Sequence, residues 1–422
     1  MVFRRVFPVI MLLVALPMCA QEGTPGSAPL TGLAVNGSSR FDSQQIVPTT
    51  GLHVGATVTR NDIQKGADAL AASGLFANVQ YRFDTDNAGV RVQYEVADAK
   101  TYAAYFDNFP WFTEADLMAA LKSSVRLFDG RVPDHGSVLG DVASALSREL
   151  VSRGVSSTVS YELVTLPGQA APVIRFQANE ASLDVEHVEF TDDLAKNDHG
   201  IQDRLSDLIG KPFSRTNVET FEYEQIRPVY LAHAFLRASF GAPIVSVTGR
   251  TVNVRVPITP GHAYTWNGAY WVGNQAIPSA DLSKLVQLNQ GGEADGMKIE
   301  ATWEEVRKAY YKLGYLDLEL MPSAHLDDAT NRARYDVILK EGPQYHMGSL
   351  VLSGLSMEGE RRIRSGWRIP QGAIFNEGVY EEFIETGVKQ SFAGLPVHYE
   401  KIGKYLQKDP GAAKVDVMLD FQ

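Results

Sequence analysis

Few residues in the chain have the types and spacing that chemistry requires. The densest like-charge group is Arg361, Arg362, Arg364 and Arg368. Four guanidinium groups so close together suit contact with lipid head groups or an acidic partner. Glu358 and Glu360 lie three and four positions away, which equally fits a charge-balanced, solvated helix face. The nine histidines are scattered and none stands in an H-E-x-x-H pattern. No G-x-S-x-G elbow and no P-loop occurs. Carboxylate pairs such as Asp192-Asp193, Glu304-Glu305 and Asp327-Asp328 read as solvated surface, because general acid–base work needs groups converging in a cleft. Cys19 is the sole cysteine, which rules out a disulfide framework and a cysteine-based zinc site. The expectation is therefore no catalytic residue, no cofactor, no metal and no enzymatic activity. With 39 Lys+Arg against 50 Asp+Glu, a net charge of −11, nucleic acid is not an expected partner either.

The elements that would position any site begin after a leader. Arg4 and Arg5 precede an apolar run from Val6 to Leu16, and Met18-Cys19-Ala20 offers a small residue for cleavage. That is the layout of a secretory signal, too short to span a bilayer. Cleavage after Ala20 would remove Arg4, Arg5 and the cysteine, taking the net charge from −11 to −13. Lipidation of Cys19 is an open alternative, although Met18 stands where lipoprotein signals favour a small residue. Residues 21–29, rich in Gly, Pro and Ser, read as a flexible leader. No later stretch is apolar enough to cross a membrane.

The remaining chain repeats itself. A glycine, a cap-type residue four positions later and an apolar residue four further on recur as Gly55-Thr59-Ile63, Gly130-Asp134-Val138, Gly210-Ser214-Val218, Gly291-Asp295-Ile299 and Gly372-Asn376-Tyr380. Successive glycines are 75, 80, 81 and 81 residues apart. The glycine suits a chain reversal, the Thr, Asp, Ser or Asn suits an N-cap, and the apolar residue begins a buried stripe. Ile299, Trp303, Val306 and Tyr310 keep helical period. Gly74, Gly154, Gly314 and Gly394 sit at helix ends, with Ala234 in that place in copy three. Strand-like sequence follows each end, at residues 79–83, 158–164, 236–240, 316–320 and 397–401. A second strand then alternates apolar and polar residues, at 90–96, 252–256, 335–339 and 415–419, with a weaker version at 173–176. Another strand and a short helix precede each glycine, the helices falling at 281–286 and 358–363 in copies four and five.

Each unit thus reads strand, helix, helix, strand, strand. The expected fold is α+β: five tandem β-α-α-β-β domains, each a three-stranded sheet covered by two helices. Boundaries fall at 1–20 (signal peptide), 21–29 (leader), 30–98, 99–180 (divergent), 181–260, 261–343 and 344–422.

This order, with Val272-Gly273-Asn274, Val35-Asn36-Gly37 and Leu352-Ser353-Gly354 after first strands, Glu341-Gly342-Pro343-Gln344-Tyr345 joining copies four and five, and Ala72-Ser73-Gly74-Leu75-Phe76-Ala77-Asn78-Val79 in copy one, resembles the POTRA (polypeptide-transport-associated) repeat. The resemblance implies a periplasmic scaffold at the bacterial outer membrane. It would bind unfolded outer-membrane protein clients, or a partner β-barrel, by adding a client strand to an exposed sheet edge. The expected client edge in copy one is Val79, Gln80, Tyr81, Arg82 and Phe83. The arginine cluster in copy five would lie nearest the membrane in family members. Such members usually end in a β-barrel, whereas the fifth repeat here reaches Gln422, so a barrel-less accessory is expected. A spacer in an envelope complex without clients, or a periplasmic enzyme on this scaffold, are the alternatives.

Overall fold

The structure, a computed structural model, describes residues 26–394 and 399–422. The signal-peptide and Cys19 readings lie outside the described residues, as do residues 397 and 398 of one expected strand. The chain divides into two compact units, Met1–Ser182 and Leu183–Gln422.

One connectivity recurs in five sheets. In copy one, Ala28–Asn36 runs parallel to Gly89–Asp98, which pairs antiparallel with Phe76–Asp86. In copy two, Tyr102–Phe106, Val173–Ala178 and Val159–Val164 do the same. Copy three uses Asp184–Phe190, Thr251–Val256 and Ile244–Thr248. Copy four uses Thr265–Val272, Arg332–Lys340 and Glu319–Asp327. Copy five uses His346–Ser353, Lys414–Phe421 and Ile402–Asp409. The strand that is last in sequence is always the middle one. Copies one and two add a two-residue strand, Thr57–Val58 or Arg131–Val132, beside the first strand.

The middle strands show why one face is covered. In copy one, Val90, Val92, Tyr94 and Val96 are buried and the residues between them are not. Ile63, Ala67 and Leu70 of helix Arg60–Ala72 belong to the same core, and the Tyr94 hydroxyl donates to Ile63 O at 2.7 Å. Each fully buried aliphatic side chain of this kind contributes roughly 1.5–3 kcal/mol.

The local signals act as their chemistry requires. Gly55, Gly130, Gly210, Gly291 and Gly372 all take left-handed φ. Thr59, Ser214, Asp295 and Asn376 cap helices through their side chains. Asp134 does not. In copy two the helix is Ser137–Ser152 with Gly136 at its N-cap, and Asp134 is occupied by His135. The helix-end positions Gly74, Gly154, Gly314, Gly394 and Ala234 are all left-handed, so the alanine reproduces the glycine conformation at some strain.

Three expected strands are displaced. Residues 236–238 and 316–318 are turns closed by bonds such as Leu236 N to Ala234 O and Leu318 N to Tyr315 O. The edge strands come later, at Ile244–Thr248 and Glu319–Asp327. The physical reason is packing across repeats: Leu236 packs into the core of copy four and Leu316 into that of copy five. Apolar residues after these helices therefore plug the next repeat instead of joining a ladder. In copy five the strand is Ile402–Asp409, after the expected 397–401.

The repeats join in two ways. Within the first unit, one continuous core runs from Leu30 through Leu70 and Leu146 to Ala178, so copies one and two do not keep separate cores. Gly74 is required at that joint: a Cβ there would lie 1.9 Å from His135 O. Within the second unit, cores are separate and a buried tyrosine marks each joint. Tyr264 N donates to Ala234 O and Tyr345 N to Gly314 O, at 3.0 and 2.8 Å. The Tyr264 hydroxyl donates to Asp328, which Arg237 of copy three also binds. The Tyr345 hydroxyl donates to Asp317 of copy four at 2.5 Å, and Lys408 of copy five pairs with the same carboxylate.

Candidate functional site at the free sheet edges

Every one of the five sheets ends in an antiparallel strand with a neighbour on one side only among the described residues. The backbone N–H and C=O groups on the other side are unpaired, which is the physical requirement for adding a strand. Copy one has the longest such edge, the eleven residues Phe76–Asp86.

Val79, Gln80, Tyr81, Arg82 and Phe83 all lie on it and pair with Val96, Glu95, Tyr94, Gln93 and Val92. Alternation divides them. Val79 and Tyr81 pack partly into the core, and the Tyr81 hydroxyl donates to Gln64 Oε1 of the covering helix at 3.0 Å. Phe83 continues this row but stays exposed. Gln80 and Arg82 face the other way, where Arg82 donates to Gln93 at 2.9 Å and pairs with Glu95 at 3.6 Å. The segment thus offers a free backbone edge, an aromatic lip on the helix side and a polar opposite face. Other edges differ. That of copy four contains Pro322, which has no N–H to offer, and that of copy five carries Lys404 and Lys408.

The structure does not bring the arginine cluster to this edge. Arg361, Arg362 and Arg364 lie on helix Met357–Gly366, capped by Ser356, and Arg368 follows it. Arg361 and Arg362 pair with Glu358, Arg364 with Glu360, and Arg368 with Glu382 at 3.5 Å. Arg364 also donates to Leu350 O at 3.0 Å. Arg362 and Arg368 line a cleft of about 400 Å³ against Glu382, Phe383 and Gly387. All four guanidinium groups therefore already have carboxylate partners.

The post-strand motifs have a structural purpose. At Gly37, Gly273 and Gly354 a Cβ would come 2.1, 2.2 and 1.8 Å from the carbonyl oxygens of Val96, Leu339 and Phe421, and φ is positive at each. Glu341 accepts from Gln275 N, Ala276 N and the Tyr310 hydroxyl at 2.6–2.9 Å, tying the end of the last strand to the turn after the first. Asp98 binds Ser38 and Ser39 in the same way in copy one.

One polar residue of the core escaped the sequence reading. Glu222 is 6% exposed, and its Oε1 has no hydrogen-bond partner among the described residues. Burial pushes its carboxyl up to about 8, with Glu219 adding repulsion and Arg215 opposing. It sits in a wide helical turn, Glu222–Ile226, just before Pro228, whose ring cannot fit a regular helix. The signal was present: counted from the cap, Glu222 holds the place of Trp303 in copy four. Among the described residues no group of three or more His, Cys, Asp or Glu could hold a metal ion. No described helix is long and apolar enough to cross a membrane.

With this geometry in place, comparison with known proteins identifies the repeat. The POTRA family model, described as "Surface antigen variable number repeat", matches residues 264–342, which is copy four. Copy four therefore matches the POTRA repeat, and the chain as a whole has a mixed α+β fold. A Treponema pallidum (strain Nichols) protein named as an outer membrane protein assembly factor is 20% identical over 135 residues. That match covers 32% of this chain and 16% of the relative, so only a small part of the relative's length is represented. Among solved structures, POTRA3–5 of Haemophilus influenzae BamA aligns at 18% identity and TM-score 0.44, covering 57% of this chain and 97% of that one. POTRA1–3 of Anabaena Omp85 aligns at 14% identity and TM-score 0.28, covering 58% and 96%.

Proposed function

We propose that the chain is a non-enzymatic periplasmic scaffold in outer-membrane protein assembly or polypeptide transport, exported by its leader and built from five POTRA repeats with the boundaries given above. Client segments add as strands to its free edges, with Val79, Gln80, Tyr81, Arg82 and Phe83 as the leading site. The observation that carries this reading is the unpaired eleven-residue edge of copy one, whose aromatic lip lies beside a polar face. The assembly role named for the Treponema relative agrees with it.

Adjacent residues of an edge strand point their amides alternately into the ladder and out of the sheet. Proline at Gln80 and proline at Tyr81 therefore remove amides of opposite direction. In NMR titrations with an extended outer-membrane-protein peptide, the variant losing the outward amide should bind several-fold more weakly while keeping its fold. Unchanged binding by both variants would sink strand addition at copy one.

The paired tyrosine joints of the second unit favour one other reading, a spacer without clients. Pull-down of unfolded outer-membrane proteins separates the two, because a spacer recovers only stable partners. Lipid contact by Arg361, Arg362, Arg364 and Arg368 would have to compete with Glu358, Glu360 and Glu382. Flotation with anionic vesicles should show no loss on replacing the four by Gln if those pairs are their whole role.

A further inference from the structure

The outer face of the copy-five sheet carries an apolar row across all three strands. Val351 is opposite Met418, and Met418 is opposite Tyr405. They are 43%, 37% and 57% exposed, although Val417 and Leu419 on either side of Met418 are fully buried on the inner face. Two residues away along the middle strand, on the same outer face, stand Asp416 and Asp420. The Ser349 amide and hydroxyl hold Asp416 below the usual carboxylate range, and the Ser353 hydroxyl and Gln422 do so for Asp420. Neither carboxylate forms an ion pair within 4 Å among the described residues, and Lys414 on the same strand acts on Asp416 only through space. The row is thus bordered on both sides by acids that are hydrogen-bonded to neighbours but form no ion pair among the described residues.

Copy four supplies a contrast. Its outer face also bears a three-strand row, Val272, Ile338 and Met321. Its acids have cationic partners: Asp336 pairs with Arg334 at 3.5 Å, beside His325 at 2.8 Å, and Glu319 with Lys340 at 2.7 Å. In copy three the outer face is largely polar, with His187, Asn253 and Ser246 in one row.

We propose that the outer face of the copy-five sheet docks an amphipathic helix of a partner protein, with an apolar ridge over Val351, Met418 and Tyr405 and Lys or Arg on both flanks facing Asp416 and Asp420. The dimensions agree. Three strands span roughly 10 Å across the sheet, and positions i and i+7 of a helix are roughly 10.5 Å apart. Charge selects this occupant over the others. An anionic membrane surface would meet the two carboxylates, and a second copy docked face to face would set aspartates against aspartates. This face is separate from the edges proposed for client strands.

The test uses the full chain and a fluorescent designed helical peptide with Leu at i, i+4 and i+7 and Lys on both flanks. Fluorescence anisotropy should show saturable binding that weakens with salt. Met418→Ser should weaken it about tenfold or more, and Asp416→Asn with Asp420→Asn about fivefold, flattening the salt dependence. Ile338→Ser, on the copy-four row, should change nothing. These side chains are exposed, and circular dichroism checks that each variant folds. Equal binding of a Glu-flanked peptide would overturn the proposal. So would indifference to Met418→Ser, phosphatidylglycerol vesicles binding through Met418, or a dimer in sedimentation that Met418→Ser dissolves.

Discussion

The two compact units join the same repeat by different physics. In residues 26–182 the two repeats fuse their apolar interiors into one core, and backbone approaches backbone at Gly74. In residues 183–422 each repeat keeps its own core, and a buried tyrosine with a shared carboxylate and a cation closes each joint. The two polar joints are also mirror-charged. At the first, copy three gives Arg237 and copy four gives Asp328; at the second, copy four gives Asp317 and copy five gives Lys408. A small repeat can thus be held to its neighbour by non-directional burial or by charge-assisted bonds that specify which repeat follows which.

The largest break in this contrast should come from Gly74→Ala. The substitution forces left-handed strain and a clash with His135 O, so we expect a loss of about 3 kcal/mol or more, read by urea denaturation. Ala234→Gly at the same repeat position should instead be neutral or gain up to about 1 kcal/mol.

Next in size is Glu222→Gln. Between its ordinary value of 4.5 and about 8, native Glu222 holds a proton that the unfolded chain has released. Stability should therefore fall as pH rises through that window. The glutamine variant should be more stable near pH 7.5, on the order of 2 kcal/mol, with a flatter pH profile. A profile unchanged by the substitution would contradict the buried, protonated carboxyl.

Smaller again is Asp317→Asn. Lys408 and the Tyr345 hydroxyl lower the Asp317 pKa, so its contribution is present at neutral pH and lost as pH falls through the lowered value. The asparagine should cost roughly 1 kcal/mol, and exchanging Asp317 and Lys408 should recover part of it, seen in amide exchange around Tyr345. The smallest effect belongs to Arg361→Gln, an exposed pair within one helix, at about 0.5 kcal/mol or less in thermal melts.

Much of this fold was legible because its signals are local. A left-handed glycine, a capping side chain and an apolar stripe each act within one turn, so the repeat could be counted from Gly55 to Gly372. What was not legible depends on neighbours. Leu236 and Leu316 look like strand residues, yet serve as plugs for the next repeat's core. Asp134 looks like a cap, yet pairs with His135. Residues 79–83 were expected as an edge from their place after the helix end and from the POTRA resemblance, but the partners of the arginine cluster required the folded helix. The apolar row of copy five was hidden because Val351 joins Met418 from a strand more than sixty residues earlier, and only the register of the folded sheet sets Tyr405 beside them.

The central claim is that the copy-one edge accepts a strand. Intermolecular NOEs between the isotope-labelled chain and an unlabelled outer-membrane-protein peptide test it most directly. A regular ladder of backbone contacts from Val79 through Phe83 to an extended peptide is the expected result. Contacts confined to the helix Arg60–Ala72, or to side chains without a backbone ladder, would contradict it.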